Sequence, residues 1–153
     1  MTKLDLPDPA TLATLVTNVT ETMCGISFVP AAVEEDTKKL CWRIASLPIT
    51  GTHPIRVALS SDPAGCKALG AALFSMSPES LDEGMIDDSL CELLNMAAGQ
   101  IKSALGLDQA LGLPSIVGAA ELPSRRERAM RDGVVLRSRG ELGLLIWVSE
   151  GLE

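Results

Sequence analysis

From Pro9 onward, Leu12, Leu15, Val16, Val19 and Met23 recur three or four positions apart, the spacing of one face of a helix. Gly25 ends that pattern. Asp8-Pro9, Asp62-Pro63 and Ser77-Pro78 each place a capping side chain before a proline suited to the first helical position, so each predicts a helix start. ISFVPA (26–31) reads as a short strand, 34–39 as a charged turn, and LCWRIASL (40–47) and IRVALSS (55–61) as antiparallel strands joined at GTHP. A second helix is predicted over 62–76 with Cys66, Leu69, Leu73 and Phe74 inward. A helical turn or connector follows over 78–84, then a long helix over 86–105. Pro114 introduces SIVGAA (115–120) as a strand. Residues 121–132 form a polar, arginine-bearing connection with room for a helical turn, and GVVLRSRG and ELGLLIWVSE close the chain as a hairpin.

Lined up, these elements repeat the order helix, strand, strand, strand, with an extra helix between the two runs. ISFVPA answers SIVGAA, LCWRIASL answers GVVLRSRG, and IRVALSSD answers LLIWVSE. The repeat lies in element order and not in residue identity. It predicts an α+β fold in which two αβββ halves, in a pseudo-twofold relation, share one largely antiparallel sheet covered by long helices. The run LGLLIWV is almost continuously apolar, so either both its faces are covered or part of it meets another chain.

The long helix carries the most informative pattern. At about 100° per residue, Leu90, Leu93, Leu94, Ala97, Ile101, Ala104 and Leu105 fall on one arc that faces the core. Asp88, Glu92, Asn95, Gly99 and Lys102 follow one another in steps of four and three, forming a stripe on the opposite side. A glycine inside a helix costs roughly 1 kcal/mol relative to alanine. Beside a carboxylate and an amide, Gly99 lets another surface approach closely. Two blander readings stand beside this one: an ordinary solvated face, and a glycine kept because a neighbouring helix packs on it.

Composition narrows the chemistry. At 153 residues the chain predicts one domain spanning 1–153. Hydrophobic residues make up 46% and aromatics 3%, so the core is aliphatic and base-stacking platforms are scarce. The net charge of −7 opposes binding to nucleic acid or anionic membranes. Arg125, Arg126, Arg128 and Arg131 form a local basic cluster, but Glu121, Glu127 and Asp132 dilute it to a solvated loop. The acidic stretch over 79–88 reads as a solvated connector. With no signal core and no long apolar run, the chain is expected to be cytoplasmic. Cys24, Cys41, Cys66 and Cys91 form no close pair and read as buried reduced thiols. His53 is the only histidine and sits in a turn, which argues against a histidine-based triad or metal site. There is no phosphate-cradling glycine loop.

ELLNMAAGQIKSALG, followed by LPSIVGA, resembles the CheX-like chemotaxis phosphatases of the CheC/CheX/FliY group. Their signature is Asp or Ser, three residues, Glu, two residues, Asn, and a later proline opening a strand; Asp88, Glu92, Asn95 and Pro114 stand in those places here. Gly99 matches the small residue that follows the Asn by four. Two departures favour the CheX-like branch over CheC itself. The interval from Asn95 to Pro114 is shorter, and the first helix has Leu15 three before Asn18, so only one Glu/Asn pair exists.

The resemblance implies a CheC-like fold and hydrolysis of the aspartyl phosphate of a CheY-type response regulator. It implies no cofactor held by this chain. Mg²⁺ and a lysine are expected in the phosphorylated partner's own site. Glu92 and Asn95 are the implied catalytic pair, with Asp88 at the rim of the contact and Gly99 permitting close approach. A homodimer is also implied. The competing expectations are a non-catalytic member of the fold that binds a signalling or flagellar partner, and a purely structural dimer.

Overall fold

The computed structural model describes residues 5–31, 37–139 and 142–151. Helix α1 (Pro9–Cys24) starts where Asp8 accepts the Thr11 N–H at 2.8 Å. It ends at Gly25, in left-handed geometry with φ 70°. Strand β1 is only Val29–Pro30. A 3₁₀ turn, Thr37–Cys41, leads to β2 (Arg43–Thr50) and then β3 (Ile55–Ser61). Helix α2 (Pro63–Phe74) is capped by Asp62, which accepts the Gly65 N–H at 2.8 Å. Ser77-Pro78 opens only a 3₁₀ turn (Pro78–Ser80), without a side-chain cap bond. Helix α3 (Glu83–Ala104) begins instead at Asp82, which accepts the Met85 N–H at 2.8 Å. Strands β4 (Ala110–Leu111) and β5 (Ser115–Ile116) precede α4 (Leu122–Asp132), β6 (Val134–Arg137) and β7 (Gly143–Glu150). Residues 34–36 of the expected charged turn and 140–141 of the closing hairpin lie outside the described residues.

All strand pairings are antiparallel, in the order β1-β6-β7-β3-β2-β4, with β5 also on β2. Exchanging β1 with β5, β2 with β6 and β3 with β7 reverses this order and leaves the pairings intact. The two αβββ halves are therefore related by a pseudo-twofold axis between β3 and β7, where Ile55 pairs with Glu150 and Ser60 with Leu145. The fold is the α+β arrangement that the element order predicts.

Both faces of the sheet are covered. Val57, Leu59, Leu144, Ile146 and Val148 face α1, α2 and α3 in the larger core. Ile44, Ala58, Val135, Leu145 and Trp147 face the other way, against Leu40 and Cys41 of the 3₁₀ turn and Ala129 of α4. The apolar run at the end of the chain is thus buried by its own chain.

Three expectations need correction. The arginine-bearing connection is a full helix, α4, and not a solvated loop. Its only buried side chain is Ala129, so it lacks the apolar stripe that announces a helix. Its arginines are partly occupied within the chain: Arg125 lies 3.8 Å from Glu121, and the Arg126 Nε donates to the Cys41 carbonyl at 3.3 Å. Second, Phe74, the last residue of α2, is 39% exposed, because the buried side of the helix runs through Cys66, Leu69, Gly70 and Ala71. Third, Ala104 is exposed, while Ser89 and Ala98 are buried, so the inward arc of α3 lies slightly to one side of the expected one.

Covering both faces makes neighbouring residues of β7 equally sensitive. Leu145→Ala and Ile146→Ala should each lower unfolding stability by about 2–5 kcal/mol. Urea titration checks this; a near-neutral Leu145→Ala would mean that α4 and the 3₁₀ turn do not seal the second face.

Candidate functional site

Helix α3 meets α1, α2, β2 and β3. Leu90, Leu93, Leu94, Ala97, Ala98 and Ile101 are each no more than 1% exposed along that contact. Such burial contributes about 1.5–3 kcal/mol per leucine-sized side chain. It also fixes how the helix is rotated. Asp88, Glu92 and Asn95 are consequently exposed on the outer side, and Gly99 and Lys102 are half-buried at its end. The stripe is brought together as its spacing predicts.

The N-terminal half of α3 is tied to the sheet by an arginine that the sequence reading missed. Arg43 of β2 donates to Asp87 at 2.6 Å and lies 3.6 Å from Glu83. Its guanidinium sits 4.6 Å above the Trp42 ring, within cation–π range. Burial works against the Arg43 charge, but the bond and charge of Asp87, aided by Glu83, outweigh it and raise its pKa. The available signal was a lone charged residue inside an otherwise apolar strand. This anchor holds Asp87 inward and leaves its neighbour Asp88 on the open side.

The thiols offer no nucleophile to this surface. All four cysteines are free. Cys91, one turn before Asn95, has its pKa raised by burial and by the nearby charges of Asp87 and Asp88. Burial, with the Asp62 charge, pushes Cys66 up to about 12. Both therefore stay protonated at neutral pH.

Gly99 separates the readings of the helix. A Cβ built there would meet only the Leu111 Cδ1, at 4.0 Å, an ordinary contact. Among the described residues, no neighbouring helix requires the glycine. Gly70 of α2 is the contrasting case, since a Cβ there would come within 3.2 Å of the Ser89 Oγ and 3.1 Å of the Leu81 Cδ1. Gly70 serves a close helix crossing; the bare position on α3 serves no packing among the described residues.

The model of the family described as Chemotaxis phosphatase CheX matches residues 43–136. This chain belongs to the CheX family. The match spans β2 through β6 and so includes the whole of α3. No curated protein matches the chain. Among solved structures, this CheX family member is similar to the CheX of the CheX-CheY-BeF3-Mg complex from Borrelia burgdorferi, at 11% identity and TM-score 0.73, covering 98% of this chain and 100% of that one. It is also similar to chemotaxis protein CheX from Desulfovibrio desulfuricans, at 17% identity and TM-score 0.63, covering 92% and 96%. For CheX from Vibrio vulnificus the values are 15% and 0.65, covering 95% and 99%. At these identities the likeness establishes a shared fold. In the described part of the chain, no helix is long and apolar enough to cross a membrane.

If Gly99 answers to nothing inside the chain, Gly99→Ala should stabilise the fold by about 1 kcal/mol through helix propensity. Gly65→Ala should do the opposite, because its Cβ would fall 2.0 Å from the buried Ser61 Oγ. Urea midpoints at unchanged slope test the pair; a destabilised Gly99→Ala would assign that glycine to internal packing.

Proposed function

We propose that this protein hydrolyses the aspartyl phosphate of a CheY-type response regulator, using Glu92 and Asn95 from the exposed side of α3. One observation carries the reading. A carboxylate and an amide stand one turn apart on a firmly seated helix, beside a glycine that no packing among the described residues requires. Family membership supports the reaction class.

The division of labour follows from what each group can do. Asn95 both donates and accepts, so one amide holds a water in line with the phosphorus. Phosphoryl transfer depends chiefly on alignment and charge stabilisation, and not on a strong protein base. Holding the attacking water in place therefore supplies much of what the reaction lacks. Glu92 makes a charge-assisted contact with the lysine of the partner's phosphorylation site and sets the register between the two proteins. Asp88 borders the contact, and Gly99 lets the partner's backbone come near. Mg²⁺ and the phosphoryl group belong to the partner. The implied homodimer is part of the same proposal, and sedimentation of the full chain tests it.

The deciding measurement is phosphate release from a phosphorylated CheY-type receiver with Mg²⁺. Asn95→Ala should slow the accelerated reaction roughly 100-fold while leaving the urea midpoint unchanged, because a misplaced reactant costs about that factor. Glu92→Ala should weaken both docking and rate, and Gly99→Leu should abolish docking in a folded helix. Equal binding of phosphorylated and unphosphorylated receivers, with no acceleration by wild type, would replace this reading with that of a non-catalytic binding protein.

A further inference from the structure

We propose that Leu113 is an apolar anchor for the phosphorylated receiver, displayed beside the Glu92/Asn95 surface by a bulge in the edge strand. The inference rests on the functional reading above and adds a recognition residue outside the helix. Strand β4 sets Leu111 opposite Ile49, and β5 sets Ser115 opposite Ser46. Residues 112–114 therefore span the shorter interval 47–48 of β2, which is a β-bulge.

Its cause is legible in β2. Pro48 has no N–H to offer the edge strand, so regular pairing fails at that point. The Gly112 N–H still donates to the Pro48 carbonyl at 2.7 Å. A Cβ on Gly112 would lie 2.6 Å from the Pro48 Cγ and 2.8 Å from its carbonyl oxygen, so the chain is pressed against β2 at that residue. On the far side, the Val117 N–H donates to the Ile44 carbonyl at 2.9 Å. Leu113 is held between these two fixed points and followed by Pro114.

Leu113 is 86% exposed, more than Val29 at 63% or Met130 at 61%. A lone exposed leucine is ordinary on a protein surface. This one differs in its backing and its place. The backbone on both sides of it is tied to β2, so docking loses little main-chain entropy. It also continues a surface that runs from Asn95 to Gly99, from Gly99 to Leu111, whose Cδ1 lies 4.0 Å from where a Cβ on Gly99 would stand, and from Leu111 along the chain to Leu113. A receiver held over Asn95 would cover it. A second copy adding a strand here is disfavoured, because the bulge breaks the register and Pro114 lacks a donor.

The test uses the full chain and a CheY-type receiver from the same organism, loaded with Mg²⁺ and beryllofluoride as the phosphoryl mimic. Leu113→Ser should weaken binding about tenfold and raise KM similarly, with kcat at saturation within about twofold and sedimentation unchanged. Asn95→Ala should show the converse, losing kcat while keeping affinity. Affinity and KM of Leu113→Ser within about twofold of wild type would overturn the proposal and leave the phosphatase reading standing. A changed association state with unchanged receiver affinity would assign Leu113 to a second copy of this chain, again overturning it. A wild-type protein that neither binds nor accelerates any receiver would remove both readings together.

Discussion

The seating of α3 on the sheet is the constraint from which the rest follows. Six of its side chains are withdrawn from water against α1, α2 and the central strands. A rotation of the helix by one position would expose part of that row and bury Glu92 or Asn95 without a partner, and each of those changes costs free energy. The outward direction of the polar stripe is therefore a consequence of core packing. The Arg43–Asp87 contact adds a second fixed point at the start of the helix. The proposed catalytic groups accordingly stand on a packed helix, the kind of element that holds a positioning group in place.

The pseudo-twofold axis supplies two helices of equivalent origin, α1 and α3, but only α3 carries the pair. In α1, Asn18 is exposed, whereas Leu15 leans against the core. Symmetry of fold is thus not symmetry of chemistry. The same asymmetry appears on the other side of the sheet. Between the first and second strands, the described residues of one half form a 3₁₀ turn, whereas the other half has the eleven-residue helix α4. Both serve one purpose, which is to roof Trp147 and Leu145.

The legible parts of the fold were those in which burial writes a period into the sequence. The α3 stripe, the β2–β3 pair and the repeated element order all fall in that class, as do the caps at Asp8 and Asp62. What escaped was held by other means. Helix α4 buries one alanine and relies on ion pairs and its arginine contacts, so hydrophobic periodicity gave no sign of it. The start of α3 lies inside the acidic stretch over 79–88, which reads as a connector, although Asp82 caps the helix there. Strand β4 is two residues long, below the length at which alternation is readable, and β5 fills only the first two positions of the strand expected over 115–120. The bulge between them depends on a proline in the neighbouring strand, a long-range cause that no local pattern records. For the candidate site, the sequence placed Asp88, Glu92, Asn95 and Gly99 together, but it could not separate a packing glycine from a bare one. That distinction required the surroundings of Gly99.

A site on the exposed face of a helix is consistent with the proposed chemistry. Three cavities formed by the described residues are lined by other elements and not by α3. An enzyme that encloses its substrate needs a cleft to exclude water and hold charge. An enzyme whose substrate is itself a folded active site needs the reverse: a protruding, stiff and sparsely furnished surface that enters the partner's cleft. On such a surface a glycine is useful because it stands lower than its neighbours, and a leucine on a tethered backbone at the margin is useful because it adds affinity without occupying the reactive centre. The helix stability forgone at Gly99 is small beside the six side chains buried behind it. The fold can therefore keep a locally unfavourable residue on its outer face without losing the geometry of that face.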